Sequence, residues 1–370
     1  MRIIQVITLG NELYGAQRHV LDLSESLKAQ GHEVILLLGT SGKTENAARS
    51  IGLQTYILNH LKRPIQPIHD ILGIIELIKL FKELKPDIVA SHSSKAGILV
   101  RIAAWWLGIP NTFTVHGWSF AEGSAFLSRK FFQVIEKMIG WISCKVIVIA
   151  ESDRQYALQL GILKSSQMKL IYHGIRLPKV DDNLLLKKND KFTMVMAARF
   201  QAQKDHETLI AALVPLKKSP WQLFLLGDGE LMTDIKNKVK EEGLNDKIYF
   251  EGAVDNVSDY LTRADVFLLI TNWEGLPISI LEAMSYSLPV IASNVAGVKE
   301  EIEHFTNGIL VPRKGVKEVT DAINLLYSDE ELRRGMGKKS KEIFDQKFRI
   351  DVMTKETLQL YEELKNENLF

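Results

Sequence analysis

Cysteine is almost absent. Cys144 stands alone among 370 residues, so no disulfide can close within the chain. A disulfide scaffold is excluded, and a reducing compartment is the expected setting. Long apolar runs are missing as well. A membrane-spanning helix needs about 18 or more clean apolar residues. The best candidate, Phe126 to Ala150, is interrupted by Arg129, Lys130, Glu136, Lys137 and Lys145. The apolar start MRIIQVITLG is too short for a signal peptide and has no small-residue cleavage site behind it. The nine histidines show no His-x-x-x-His spacing and have no cysteine partners, so no zinc site is expected. There is no Gly-x-Ser-x-Gly turn. Gly39-Thr-Ser-Gly42-Lys43-Thr44 ends like a phosphate-cradling loop, but its glycines stand too close together to wrap a phosphate. Gly227-Asp228-Gly229-Glu230 lacks the third glycine of a dinucleotide fingerprint.

What remains is an ordinary globular composition, 46% hydrophobic and 25% charged. At roughly 150 residues per domain, the length predicts two domains. Net charge is +1, yet residues 1–178 carry +7 and the remainder −6. A basic first half and an acidic second half imply different surfaces for different partners. No nucleic-acid partner is expected.

Short β-rich runs alternate with amphipathic helical runs. In the first half, strands are predicted at Ile3–Thr8, Glu33–Leu38, Thr55–Leu58, Asp87–Ser91, Asn111–Val115 and Lys145–Ile149. Helices fill about 15–30, 68–84, 95–107, 124–142 and 151–160. Residues 176–190 lose the period and read as a linker. The alternation then restarts, with strands at Phe192–Ala197, Gln222–Leu226, Lys247–Phe250, Val266–Ile270, Pro289–Ala292 and Gly308–Val311, and it closes on helices at about 315–327, 329–344 and 350–367. The expected class is α/β: two doubly wound, Rossmann-like domains, 1–178 and 179–370, facing a central cleft. A return of the last helix onto the first domain is left open. Ligands of such sheets bind at the carboxyl ends of the strands.

Four segments at those ends carry chemistry. Asn272-Trp-Glu274-Gly275-Leu276-Pro277 follows a strand and opens a helix bearing Glu282, eight residues beyond Glu274. The helix amides would meet an anion there, and the two carboxylates could hold separate groups of one ligand. Arg199 and Lys204 stand five apart after the first strand of the second half. They offer a planar fork and a point charge, a phosphate clamp. Tyr14-Gly15-Ala16-Gln17-Arg18 opens the first helix, and Gly15 lets a phosphate approach the backbone. Thr114-Val115-His116-Gly117-Trp118 ends a strand and aims His116 at the cleft.

Together these residues, with Gly227 to Glu230, resemble a retaining glycosyltransferase of the GT-B fold, in glycosyltransferase family four. The first turn lacks the leading glycine that many members have, and Ala198 stands where they carry glycine. Ser91-His92-Ser93-Ser94-Lys95-Ala96-Gly97 with His116-Gly117-Trp118 is similar to bacterial enzymes that build surface polysaccharides on a lipid carrier. The resemblance implies a nucleotide-sugar donor, a UDP-sugar for preference, and a lipid-linked saccharide acceptor. Arg199 and Lys204 would neutralise the donor diphosphate, helped by the amides around Gly275, Leu276, Pro277 and Gly15. Glu282 would bind the ribose, Glu274 and His116 the sugar, and Gly227 and Glu230 the donor. With no Asp-x-Asp in the chain, no metal or other cofactor is expected. A UDP-sugar 2-epimerase of the same fold needs general bases that no spare carboxylate cluster supplies; it and a transferase with a soluble acceptor are the alternatives. Trp105-Trp106 and the aromatic, basic segment Phe120–Trp141, with Phe126, Phe131, Phe132 and Met138, predict a first domain lying on anionic lipid at the inner face of the cytoplasmic membrane.

Overall fold

The computed structural model describes residues 1–120, 126–176 and 191–367. Apart from Arg176, the linker read at 176–190 lies outside the described residues. The chain divides into two units: Met1–Arg176 with Arg349–Phe370, and Leu177–Phe348.

In the first unit the strands are β1 Arg2–Ile7, β2 Glu33–Leu38, β3 Gln54–Ile57, β4 Ile88–Ser91, β5 Asn111–Val115, β6 Lys145–Val148 and β7 Met168–Leu170. They form one parallel sheet in the order β3-β2-β1-β4-β5-β6-β7. The helices between them are α1 Gly15–Ala29, α2 Lys43–Ser50, α3 Pro67–Leu84, α4 Ser94–Leu107, α5 Phe126–Ile139 and α6 Glu151–Gln159. The alternation of strand side chains feeds both faces. Ile3 and Ile7 of β1 pack with Val20, Leu23 and Leu27 of α1. Ile4 and Val6 pack with Leu77, Phe81, Leu99 and Val100 of α3 and α4. Each face of the sheet is thus covered, which is why its strands read as continuous apolar runs.

The second unit has β8 Phe192–Ala197, β9 Trp221–Leu226, β10 Ile248–Gly252, β11 Val266–Leu269, β12 Val290–Ser293 and β13 Gly308–Val311. They too are parallel, in the order β10-β9-β8-β11-β12-β13. Its helices are α7 His206–Leu213, α8 Met232–Glu241, α9 Val257–Leu261, α10 Ile278–Ser285, α11 Val298–Glu301, α12 Val316–Ser328 and α13 Glu330–Lys347.

The last helix, α14 Ile350–Asn366, belongs to the first unit. Its Leu360, Tyr361 and Leu364 join the α1 face of the core. Thr354 Oγ1 donates to Ser26 Oγ at 2.9 Å, and Lys365 pairs with Asp87 at 2.9 Å. Residues 349–370, which join the first unit with it, carry three cations and five anions, which lowers that unit's net charge from +7 to +5.

Two elements escaped sequence reading. Strand β7 has three residues, one of them the exposed Lys169, and is too short to show a period. Helix α2, Lys-Thr-Glu-Asn-Ala-Ala-Arg-Ser, buries Thr44, Glu45 and Ala48 rather than a stripe of large apolar side chains. Pro277 precedes its helix as the capping residue.

Candidate active site

Within the second unit, the turns after β8, β9 and β11 converge. Residues Gln203 to Asp205 run beside Ile270 to Asn272: Asn272 donates its amide to Gln203 O at 2.8 Å, and Asp205 donates its own to Ile270 O at 3.0 Å. That pairing sets Lys204 against Glu274, and the ammonium and carboxylate form a close ion pair. Thr271 Oγ1 lies 2.8 Å from Glu274 Oε1, and Gln203 Nε2 donates to Glu274 Oε2 at 3.3 Å. Both long side chains are therefore fixed before any ligand arrives. Arg199 is exposed on the adjoining turn. The Gly227 turn lies directly on that turn. Gly227 has φ +136°, and a Cβ there would sit 2.2 Å from Ala198 O, so only glycine fits. Glu230 is exposed beyond it.

Gly275 is exposed, Leu276 and Pro277 are buried, and no side chain caps α10. Its first-turn amides, left without a side-chain acceptor, could meet an anion. Glu282 is half-buried on the same helix. Gly297 packs so closely under this turn that a Cβ would overlap Gly275 O.

One residue here was missed by sequence reasoning. Glu301, at the end of α11, is 0% exposed, and neither carboxyl oxygen has a partner among the described residues. Burial pushes its pKa well above the usual carboxylate range, and the charges of Glu274 and Glu300 push it further. A Glu-Glu pair on a polar-looking stretch gives no sign of burial in sequence.

The first unit contributes a second set. Gly15 begins α1, and His116 follows β5 half-buried. Sequence reading named His116 and His92, but not that they meet, nor that His19 and His173 join them. His19 of α1 lies between His116 and His173, with ring centroids 4.7 and 4.8 Å away, and His92, after β4, lies 5.5 Å from it. Burial holds His92 down to about pKa 3 and His173 to about 4, and holds His19 and His116 well below the ordinary value. All four are neutral imidazoles at pH 7. Beside His92 lies a cavity of about 470 Å³, lined by Gln17, Lys95, Ile98, Phe131 and Phe132. Lys95 is ion-paired with Asp70 at its edge. Apolar walls with a few polar groups suit an amphiphilic ligand.

The outer face of this unit is unusually apolar. Leu127, Phe131, Val134 and Met138 of α5 and then Trp141 succeed one another at alternating spacings of four and three residues, and all are exposed, Trp141 at 86%. Lys130 and Lys137 flank them. Ile68, Ile71, Leu72 and Ile75 of α3 and Trp105 and Trp106 of α4 are exposed as well. Phe132, by contrast, is half-buried against the core around Phe113 and Trp118. Arg129 donates to Tyr156 Oη at 3.2 Å. The side chain of Phe126 lies outside the described residues. Among the described residues, no helix is long and apolar enough to cross a membrane.

Two parallel α/β units, with the Lys204–Glu274 ion pair and a helix start without a side-chain cap at the strand ends of the second, have the architecture of GT-B glycosyltransferases. The family comparisons agree. Residues 14–178 match the family described as Glycosyltransferase Family 4, and residues 180–343 match the one described as Glycosyl transferases group 1. The chain belongs to this glycosyltransferase family through both of its domains. A relative from Escherichia coli, named UDP-Gal:alpha-D-GlcNAc-diphosphoundecaprenol alpha-1,3-galactosyltransferase, is 28% identical over 335 residues, 86% of each chain. A Campylobacter jejuni protein, named N,N'-diacetylbacillosaminyl-diphospho-undecaprenol alpha-1,3-N-acetylgalactosaminyltransferase, is 25% identical and covers 91% of this chain and 92% of its own. Among solved structures, Anabaena Alr3699/HepE in complex with UDP superimposes with a TM-score of 0.83 at 18% identity, over 98% of this chain and 100% of that one.

Proposed function

We propose that this glycosyltransferase moves a sugar from a UDP-sugar to a saccharide carried on a lipid diphosphate, with retention at the anomeric carbon and without a metal, in the synthesis of a bacterial surface polysaccharide. The observation that carries the reading is the Lys204–Glu274 pair, held by Thr271 and Gln203 beside the exposed Arg199. A donor diphosphate draws Lys204 from Glu274 and meets Arg199 from its other side. Glu274, released, accepts hydrogen bonds from sugar hydroxyls, and Glu282 accepts them from the ribose. Neutral His116 holds the sugar by hydrogen bonding without adding a charge. The acceptor oxygen bonds to the anomeric carbon on the face from which the diphosphate leaves, and its proton passes to the departing phosphate oxygen. Catalysis is then charge neutralisation and positioning. Retention is supported by the E. coli relative, whose name pairs UDP-Gal, an α-linked donor, with an alpha product.

The test is transfer of radiolabelled sugar from UDP-, GDP- and ADP-sugars to undecaprenyl-diphosphate saccharides. Labelled lipid product with one donor is the expected result. Epimerised donor in the absence of acceptor would mean a UDP-sugar 2-epimerase instead. EDTA is expected to leave the rate largely intact, because two cations already face the diphosphate and the chain has no Asp-x-Asp. Full loss, restored by Mg²⁺ or Mn²⁺, would show that the leaving group is stabilised otherwise.

An acceptor carried on a membrane lipid would be met at the inner face of the cytoplasmic membrane, and the enzyme is proposed to work there. The stripe of Leu127, Phe131, Val134, Met138 and Trp141 beside Lys130 and Lys137 supports this. In flotation with liposomes, binding is expected to rise with anionic lipid and fall with salt. It should weaken when Lys130 and Lys137 become Glu; Arg129, tied to Tyr156, is the poorer probe. Protein that stays at the bottom with anionic vesicles at low salt would favour a soluble acceptor.

A further inference from the structure

We infer that His19, His92 and His116 form a site for one divalent transition-metal ion of the zinc, cobalt and nickel class. One ligand nitrogen from each of the three lies within 4.8 Å of those of the other two. One pair, His116 Nε2 and His92 Nδ1, is 3.5 Å apart. Two nitrogens bound to one tetrahedral ion at about 2.0–2.1 Å stand roughly 3.3–3.4 Å from each other. That pair therefore already has ligand spacing, and the third needs a shift of roughly 1.5 Å by the same geometry.

The tautomers suit the purpose. His92 Nε2 faces Gln5 Oε1 at 2.5 Å. An amide oxygen only accepts, so Nε2 carries the hydrogen and Nδ1 presents its lone pair to the trio. A side chain that holds the far nitrogen of a histidine in this way is the usual support of a metal ligand. Gln5 is fully buried on β1, where its side chain also interacts with the Tyr361 hydroxyl. His19 is the second observation. It is 3% exposed, and its Nδ1 has no partner among the described residues. A buried polar atom without a partner costs about 1–3 kcal/mol, a cost that an ion bound at this nitrogen would remove. Three neutral nitrogens leave the ion's charge uncompensated and one tetrahedral position for water or an exchangeable anion.

Sequence could not show this. The ligands come from α1 and from the turns after β4 and β5, at positions 19, 92 and 116. No short motif joins them.

Occupancy would take His116 out of sugar binding, so Zn²⁺ is expected to inhibit transfer and chelation to relieve it. That consequence rests on the role proposed for His116, whereas metal binding does not. The direct test is equilibrium dialysis of the full chain with Co²⁺, read by bound cobalt and by its visible absorption. One equivalent with the intense bands of four-coordinate cobalt is expected. His19→Ala and His92→Ala should each reduce bound cobalt to background. Gln5→Ala should weaken affinity about 10- to 100-fold. His173→Ala should keep the metal, as should His69→Ala, which breaks the other close imidazole pair, His60 with His69. Should an alanine variant fail to fold, the wild-type spectrum and the graded effect of Gln5→Ala still decide. Substoichiometric cobalt, a weak six-coordinate spectrum, or loss of metal in His69→Ala would overturn the assignment. If cobalt binds as expected but transfer is indifferent to Zn²⁺, the role given to His116 falls and the metal site stands.

Discussion

Lys204→Ala is expected to lower kcat/KM about 100-fold or more, and Arg199→Ala to do the same. The departing diphosphate gains charge in the transition state, so a cation that meets it there acts on kcat and not only on donor binding. The two residues should differ in what a conservative change rescues. Arg199→Lys keeps the charge but loses the planar fork, so it should recover only part of the rate. Lys204 has a second duty in the resting protein, because it neutralises Glu274, whose side chain is only 7% exposed. Lys204→Ala therefore leaves a nearly buried carboxylate facing Thr271 and Gln203 without its cation. Removing Glu274 as well should relieve that strain on the fold without restoring transfer. Thermal unfolding and steady-state kinetics of both single variants and the double variant separate the effects. Turnover within a few-fold of wild type in both Lys204→Ala and Arg199→Ala would rule out the clamp.

The strand ends were legible in sequence because a buried parallel strand leaves a short, unmistakable apolar run, and the turn at its end is polar and rich in glycine. Ala197–Asp205 and Asn272–Glu282 could thus be placed at one edge of one sheet from the string alone. The contact that joins them could not. The pairing of Gln203–Asp205 with Ile270–Asn272 is made across a gap of some 65 residues, and it is this pairing that sets Lys204 on Glu274. The same blindness hid the histidines, which approach one another only because β1, β4 and β5 are neighbours. Charge misled in the opposite direction. Glu136 looked like one of several charges that break an apolar run, and Glu301 drew no notice, yet both are buried. The period of α5 was legible; which of its faces is wet was not. Phe131 and Phe132 are adjacent in sequence, and the helix sends one outward and the other into the core.

Glu136 carries the other large effect. Arg101 of α4 is 0% exposed and Glu136 of α5 is 1% exposed. One guanidinium nitrogen donates to both carboxylate oxygens, at 3.0 and 2.9 Å. Nε donates to Gly97 O at 2.7 Å, the remaining nitrogen to Ser143 Oγ at 3.2 Å, and the plane lies 4.5 Å from the Phe113 ring centre. Burial pulls the guanidinium's pKa down, and Glu136 holds it up. The guanidinium cannot shed its proton, so Glu136→Ala leaves a buried charge with neutral partners only. A loss of about 3–5 kcal/mol in the stability of the first unit is expected. Arg101→Met should cost less at low pH, since an abandoned carboxyl can take up a proton. The double change Arg101→Met with Glu136→Leu should recover most of the loss, because apolar residues of similar size often replace a buried ion pair without penalty. Urea unfolding of wild type, Arg101→Met, Glu136→Leu and the double variant gives the cycle, and a loss below about 1 kcal/mol for Glu136→Ala, measured beside them, would mean that water reaches the pair. The cycle also tests how α5 is held. Arg101 ties that helix to α4, so loosening it in Glu136→Ala should weaken liposome flotation although every residue of the exposed Leu127–Trp141 stripe is unchanged. The double variant, with its stability restored, should float like wild type. Full flotation of a destabilised Glu136→Ala protein would show that the stripe does not need its anchor.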